Sequence, residues 1–344
     1  MTGLKGLATG VGSLPFLNVQ SALELIFCFV PAAPFWPQLP KIDPRESMVT
    51  QFSENLPCLK TDKDGLRFVP ADKEKSLELF YEKFIAGDLD YFKITPEFSR
   101  GIYAFHKKLE SSDLSSVEFI KCQVTGPFTF CAGVNDQDGN AILHDEVIMQ
   151  AMVHGLTMKA LWQFDFFKKF GKKMIMFLDE PYLSAVGSAY TTVNHSDVID
   201  VLSGIASNLK KQGCTIGVHC CGNTDWSMLT DAEGLDLINF DAFNFQERFV
   251  LYADNLNKFL KKGGIICWGI VPTNEFSPKH SPEILAERIK SGFDILVKKG
   301  IDRDLLLERL MISPACGLGT LEPQRAGEIL ELLSQTSLFI RKNL

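Results

Sequence analysis

No apolar stretch in this 344-residue sequence approaches the roughly 20 residues that a membrane-crossing helix needs. The opening MTGLKGLATGVGSLPF also lacks the charged leader and long apolar core of a secretory signal, so a cytoplasmic protein without a membrane partner is expected. No basic block or stripe accompanies the net charge of −7, which removes the electrostatic footprint of nucleic-acid binding. No G-x-G-x-x-G follows an apolar run, which argues against a dinucleotide-binding open sheet. Repeats, low-complexity tracts and Gly/Ser linkers are missing as well, so residues 1–344 read as a single domain. Nine cysteines, an odd number without a small-domain spacing framework, read as free thiols plus metal ligands in a reducing compartment.

What the sequence does contain is alternation of buried strands and helices. Continuous apolar runs occur at 119–127, 174–181, 215–221, 235–243, 264–272 and 309–317, with a seventh at 8–15. Amphipathic segments such as 145–171 and 281–300 lie between them and close on Lys and Gly, as helix C-termini do. Such runs, separated by helices, predict parallel strands in βαβ units. With either 31–36 or 90–95 as an eighth strand, the chain closes as an α/β (β/α)8 TIM barrel, with an inserted segment roughly over 37–115. The stretch PFWPQLP (34–40) reads as a pocket rim, a docking face or packing.

Polar residues gather at the C-terminal ends of these runs: Ser13, Gln123, Asp179, Glu180, His219, Cys221, Asp241 and Cys316. That end of a barrel is where active sites are assembled. In GVHCCGNTDW (217–226), strand alternation puts His219 and Cys221 on one side and sends Cys220 to the other. Together with Asp241 and Cys316 they form a donor set of one imidazole, two thiolates and a carboxylate, which suits zinc better than magnesium or calcium. Plain alternatives stand beside this reading. His219, Cys221 and Cys316 would serve equally as core residues, Asp241 and Ser13 as helix caps, and Asp179 as a loop carboxylate. The remaining cysteines read as packing.

GVGSLP (10–15), QVTGP (123–127), LDEP (178–181), the H-x-C of HCC and SPACGL (313–318) resemble, in order, the catalytic barrel of the cobalamin-independent methionine synthases. HCCGNTD and ACGL are also similar to the zinc enzymes that transfer methyl groups from methylcobalamin to coenzyme M. Both groups share a barrel superfamily with uroporphyrinogen decarboxylase. The resemblance implies zinc ligands at His219, Cys221 and Cys316, with Asp241 standing where a Glu is usual and Glu247 as its stand-in. It further implies that Gly12 and Ser13 hold a substrate carboxylate, and that Asp179, with Glu180 beside it, holds a substrate ammonium.

A zinc-bound thiol is deprotonated outright, whereas a free thiol of pKa about 8.5 is mostly protonated at neutral pH. The expected activity is therefore methyl transfer to the thiol of homocysteine, giving methionine. Either a methylcorrinoid or a methyl-folate is the donor. In the folate-using enzymes the penultimate strand ends in a histidine suited to the leaving group's proton; here it reads CWGIVPTNE, with Trp268, Thr273 and Asn274 in that neighbourhood. That departure, and the lack of a second barrel ahead of this one, favour the corrinoid, whose departure needs no proton. A corrinoid protein is then an expected partner. The alternatives are transfer to another thiol such as coenzyme M, or a non-catalytic zinc-holding subunit that docks a corrinoid protein.

Overall fold

The computed structural model describes residues 4–62, 65–188 and 191–344. Its strands are β1 (Leu7–Ala8), β2 (Leu59–Asp62), β3 (Gly65–Phe68), β4 (Phe119–Thr125), β5 (Lys173–Asp179), β6 (Thr215–Cys220), β7 (Leu237–Phe240), β8 (Ile265–Val271) and β9 (Leu310–Pro314). Seven of them form one parallel sheet in the order β1-β9-β8-β7-β6-β5-β4, and β2 and β3 form a separate antiparallel hairpin. From β4 onward each strand lies beside its sequence neighbour, and the first strand returns to the side of the last. All six apolar runs after residue 119 are thus strands of this sheet.

The run at 8–15 behaves differently from expectation: only Leu7–Ala8 forms a ladder with β9. Residues 31–38 stand between the two edges of the sheet. On the β4 side, the Lys121 N–H donates to the Pro34 carbonyl at 2.9 Å, and Phe35 bridges Lys121. On the β1 side, the Thr9 hydroxyl donates to the Ala33 carbonyl at 2.9 Å, and Ser13 bridges Gln38. These are isolated bridges, so the sheet is not closed by a continuous ladder. Residues 31–36 fill this position; 90–95 do not, and lie in a turn and the irregular chain that follows it. Within 37–115 lie two short 3-10 turns, the β2–β3 hairpin and the helices Lys73–Ile85 and Arg100–Glu110. The last of these joins the outer helical layer, with the Phe105 ring 5.7 Å from that of Phe27 on helix Val19–Phe29.

Alternation divides the core in two. One face of the sheet packs Leu7, Phe119, Phe177, Leu237, Cys267 and Met311 into an inner cluster that also takes in Ala33. The other face presents Cys122, Met176, Val218, Cys220, Phe240 and Trp268 to the helices. Gly217 is required within the inner layer: a Cβ there would meet Phe177 and Leu237 at 3.0 Å. Helices start where the sequence supplies caps. Asn194 and Asp197 form a reciprocal capping box on His195–Lys210, and Ser281 caps Pro282–Lys298.

Candidate metal and substrate site

Asp179, His219 and Asn239 are register partners across β5, β6 and β7, so their side chains share the inner face at the C-terminal ends of the strands. His219, Cys221 and Cys316 bring one ligand-type atom each to within 4.8 Å of one another. Among the described residues no other such group of His, Cys, Asp and Glu occurs. Cys220 faces the helices and is fully buried, as alternation requires.

The histidine is held in one tautomer. Its Nδ1 lies 2.6 Å from Asn239 Oδ1. The orientation of that amide is fixed because Asn239 Nδ2 donates to the Cys267 carbonyl at 2.9 Å and to the Ser313 hydroxyl at 2.8 Å. Ser313 in turn donates to the Pro314 carbonyl, so its oxygen is left to accept. Nδ1 therefore carries the proton, and Nε2, buried and without a hydrogen-bond partner, presents its lone pair. Burial works against a charge on His219, but Cys316 and Asp179 outweigh it and raise its pKa. The sulfurs share a hydrogen bond that lowers the pKa of Cys221 against burial and, together with burial, raises that of Cys316. An orphaned imidazole nitrogen facing two thiols is a donor set that fits zinc.

A cavity of about 320 Å³ opens over these three residues and is lined also by Ser13, Gln38, Glu46, Asp179, Thr273 and Asn274. Two carboxylates on it have unpartnered buried oxygens, Asp179 Oδ1 and Glu46 Oε2. Burial raises the pKa of each, opposed by Lys121 and His219 at Asp179, and by Arg100 at Glu46. The other oxygen of Glu46 accepts from Arg100 Nη1 at 3.1 Å. Ser13 is tied to the last turn, where its Oγ accepts from the Gly319 N–H at 3.2 Å. Gly317 is needed for this approach, since a Cβ there would lie 2.3 Å from that oxygen.

Other expected site residues are placed elsewhere. Glu180 does not line the cavity; it accepts from the N–H groups of Phe128 and Thr129 and from the Thr129 hydroxyl, capping helix Pro127–Ala132. Burial pushes its carboxyl up to about 7 against those bonds. Asp241 stands outside the three-residue group and caps helix Ala242–Phe249, with its two oxygens accepting from Asn244 N at 2.9 Å and Nδ2 at 2.8 Å. Glu247 is exposed on that helix. Trp268 is buried between Phe240 and Phe293, on the helix side of the sheet. Gln123 is buried below the cavity, donating to the Trp36 carbonyl at 2.9 Å, and its amide packs against Gly12. In PFWPQLP, Phe35, Trp36 and Leu39 are core, while Gln38 and Pro40 reach the cavity. Of the cysteines read as packing, Cys28 is exposed.

Two residues of the site escape a reading of the sequence. Asn239 had a signal, a polar residue centred in an apolar strand, whereas Glu46 sits in a polar turn, PRES, that reads as surface.

No protein-family model matches this chain, and no curated protein matches it. Among solved structures, it is similar to a B12-independent methionine synthase from Shewanella sp. W3-18-1 in complex with selenomethionine. That likeness has a TM-score of 0.57 at 15% identity, covering 99% of this chain and 98% of that one. It is similar also to a putative vitamin-B12 independent methionine synthase from Listeria monocytogenes, with a TM-score of 0.54 at 13% identity over 94% of this chain and 85% of that one. At such identities the likeness shows a shared α/β fold, with no helix among the described residues long and apolar enough to cross a membrane.

Proposed function

We propose that the protein is a zinc-dependent thiol methyltransferase that converts homocysteine to methionine, built on a (β/α)8 barrel in which residues 31–38 take the eighth position. The observation that carries this reading is the buried, unpartnered Nε2 of His219 within 4.8 Å of two cysteine sulfurs, on the wall of a cavity sized for an amino acid. His219, Cys221 and Cys316 would hold the metal, and Asp241 or the substrate itself would supply a fourth ligand. Zinc, when bound, contributes the deprotonation of a thiol while leaving it nucleophilic.

The chain's own residues bind and orient. Asp179 and Glu46 offer two carboxylate oxygens to a substrate ammonium, and the segment around Ser13 takes the carboxylate. The acidic pair favours homocysteine over coenzyme M, whose sulfonate it would repel. In the transfer, the sulfur–methyl bond forms as the methyl–donor bond breaks. The electron pair stays with the donor, and the thiol proton leaves to solvent. Thr273 and Asn274 line the cavity after β8, and among the described residues His219 is the sole histidine on its wall, already committed through Nδ1. A leaving group that needs no proton, a corrinoid, suits this arrangement better than a folate amine. The donor's bulk lies outside; the cavity shares Pro40 and Ser47 with a surface groove of about 860 Å³.

The test is zinc analysis of the pure protein, followed by methyl transfer to homocysteine from methylcobalamin, methyl-folate and a methylated corrinoid protein, with and without a chelator. Zinc near one per chain and chelator-sensitive methionine formation are expected; metal-free protein with full activity overturns the reading.

A further inference from the structure

Lys121 is a fully buried lysine with no ion-pair contact among the described residues, on which Asp179 acts through longer-range attraction alone. It projects from β4 beneath the cavity. Its Nζ donates to the Val11 carbonyl and, at 3.0 Å, to Gln123 Oε1, and it lies 4.5 Å from the centre of the Phe177 ring. Both hydrogen bonds are thus to neutral acceptors, and the ring is neutral as well. A charge taken out of water is costly, and Asp179, beyond ion-pair distance, offsets only part of that cost, which leaves a role for a second anion. Burial pulls its pKa down to about 8, with Asp179 opposing, which leaves the ammonium as the main form at neutral pH.

One acceptor of Lys121, Val11, is part of the cavity's wall, and the other, Gln123, lies behind it. Val11 lines the cavity two residues before Ser13, and Gln123 packs its amide against Gly12. Positive charge therefore lies behind the 11–13 segment, while Asp179, on the neighbouring strand, and Glu46 place negative charge on the wall itself. A zwitterionic amino acid matches that layout. Resting on the homocysteine reading above, we propose that Lys121 is a positioning residue, the buried counter-charge for the substrate's carboxylate, acting through the Val11–Ser13 segment.

The experiment titrates zinc-loaded full-length protein with homocysteine and with 3-aminopropanethiol, the same thiol and amine without the carboxylate, by calorimetry. Wild type is expected to hold homocysteine about tenfold more tightly or better, a difference of the size one well-placed charge confers. Lys121→Met, and Lys121→Gln, which keeps a donor without the charge, should erase most of that preference by weakening homocysteine alone, with zinc content unchanged. Equal weakening of both thiols, as a mere prop or a partner of Asp179 would give, overturns the proposal, as does a Lys121→Gln that keeps the preference. If neither variant folds, the wild-type comparison decides, since equal affinity for the two thiols overturns it as well. Absence of binding to either thiol overturns the homocysteine reading and this one with it, whereas methylation of homocysteine without carboxylate preference overturns only this one.

Discussion

Asn239 Oδ1 accepts the Nδ1 proton of His219 over 2.6 Å, and the rest of the Asn239 amide is locked by Cys267 and Ser313. A ligand's outer hydrogen bond sets its tautomer, ring orientation and basicity. Asn239→Leu should therefore lower zinc affinity by about 10–100-fold while leaving His219 in place. Competition with a chromogenic chelator measures it; an unchanged affinity would show that the amide only fills space.

The doubled cysteine gives a sharper contrast. Cys221 belongs to the cluster with Cys316, and Cys220 to the helix-side core. Cys221→Ser and Cys316→Ser should abolish stoichiometric zinc with small effects on metal-free stability. Cys220→Ser should retain zinc and lower stability by about 1–3 kcal/mol, because a polar hydroxyl would replace sulfur in the apolar helix-side core, with only the Gly222 carbonyl, 3.5 Å from the Cys220 sulfur, to accept from it. Metal analysis and urea unfolding of the three variants separate the roles.

Glu46 and Asp179 reach the same cavity from distant parts of the chain, each with an unpartnered buried oxygen. Loss of either charge should cost a substrate ammonium a charge-assisted bond, worth about 1.5–3 kcal/mol, or roughly tenfold or more in affinity. Glu46→Gln and Asp179→Asn should then raise KM for homocysteine with a smaller change in kcat. Coenzyme M, which has no ammonium, should be unaffected or improved. Steady-state assays with both thiols decide, and equal loss for both would remove the ammonium assignment.

Much of this arrangement could be read from the sequence because buried parallel strands announce themselves as continuous apolar runs, and alternation then selects His219 and Cys221 over Cys220. The same alternation separates residues that sequence reading groups together. Asp179 pairs in register with His219 on the inner face, so Glu180 must turn outward, where it meets the start of helix Pro127–Ala132. Trp268 pairs with Phe240 and therefore packs outward, while Cys267 points in. Asp241 follows the last residue of β7, where capping the next helix competes with reaching a metal. Glu46 was out of reach for a different reason: its burial depends on Arg100, which lies 54 residues away in the chain. Local pattern carries no information about such a pairing.

Lys159 provides a test of electrostatics remote from the site. It is fully buried on helix Glu146–Phe167, and among the described residues its Nζ has only a long bond of 3.5 Å, to the Phe92 carbonyl. Burial pulls its pKa from the usual 10.5 to about 8, with Glu54 opposing. Between those values the unfolded chain holds a proton that the folded chain has released, so stability from this group rises with pH across that window. Below about pH 8 the buried ammonium destabilises the fold in full. Lys159→Met removes the charge while keeping most of the volume, and should raise Tm at neutral pH by about 1–2 °C for each kcal/mol relieved. The gain should shrink steadily as pH is raised above 8 and nearly vanish by pH 10.5. Calorimetric scans of wild type and variant across that range measure it. A gain independent of pH would assign the effect to packing, and a loss at neutral pH would mean that the ammonium is better accommodated than its single long bond indicates.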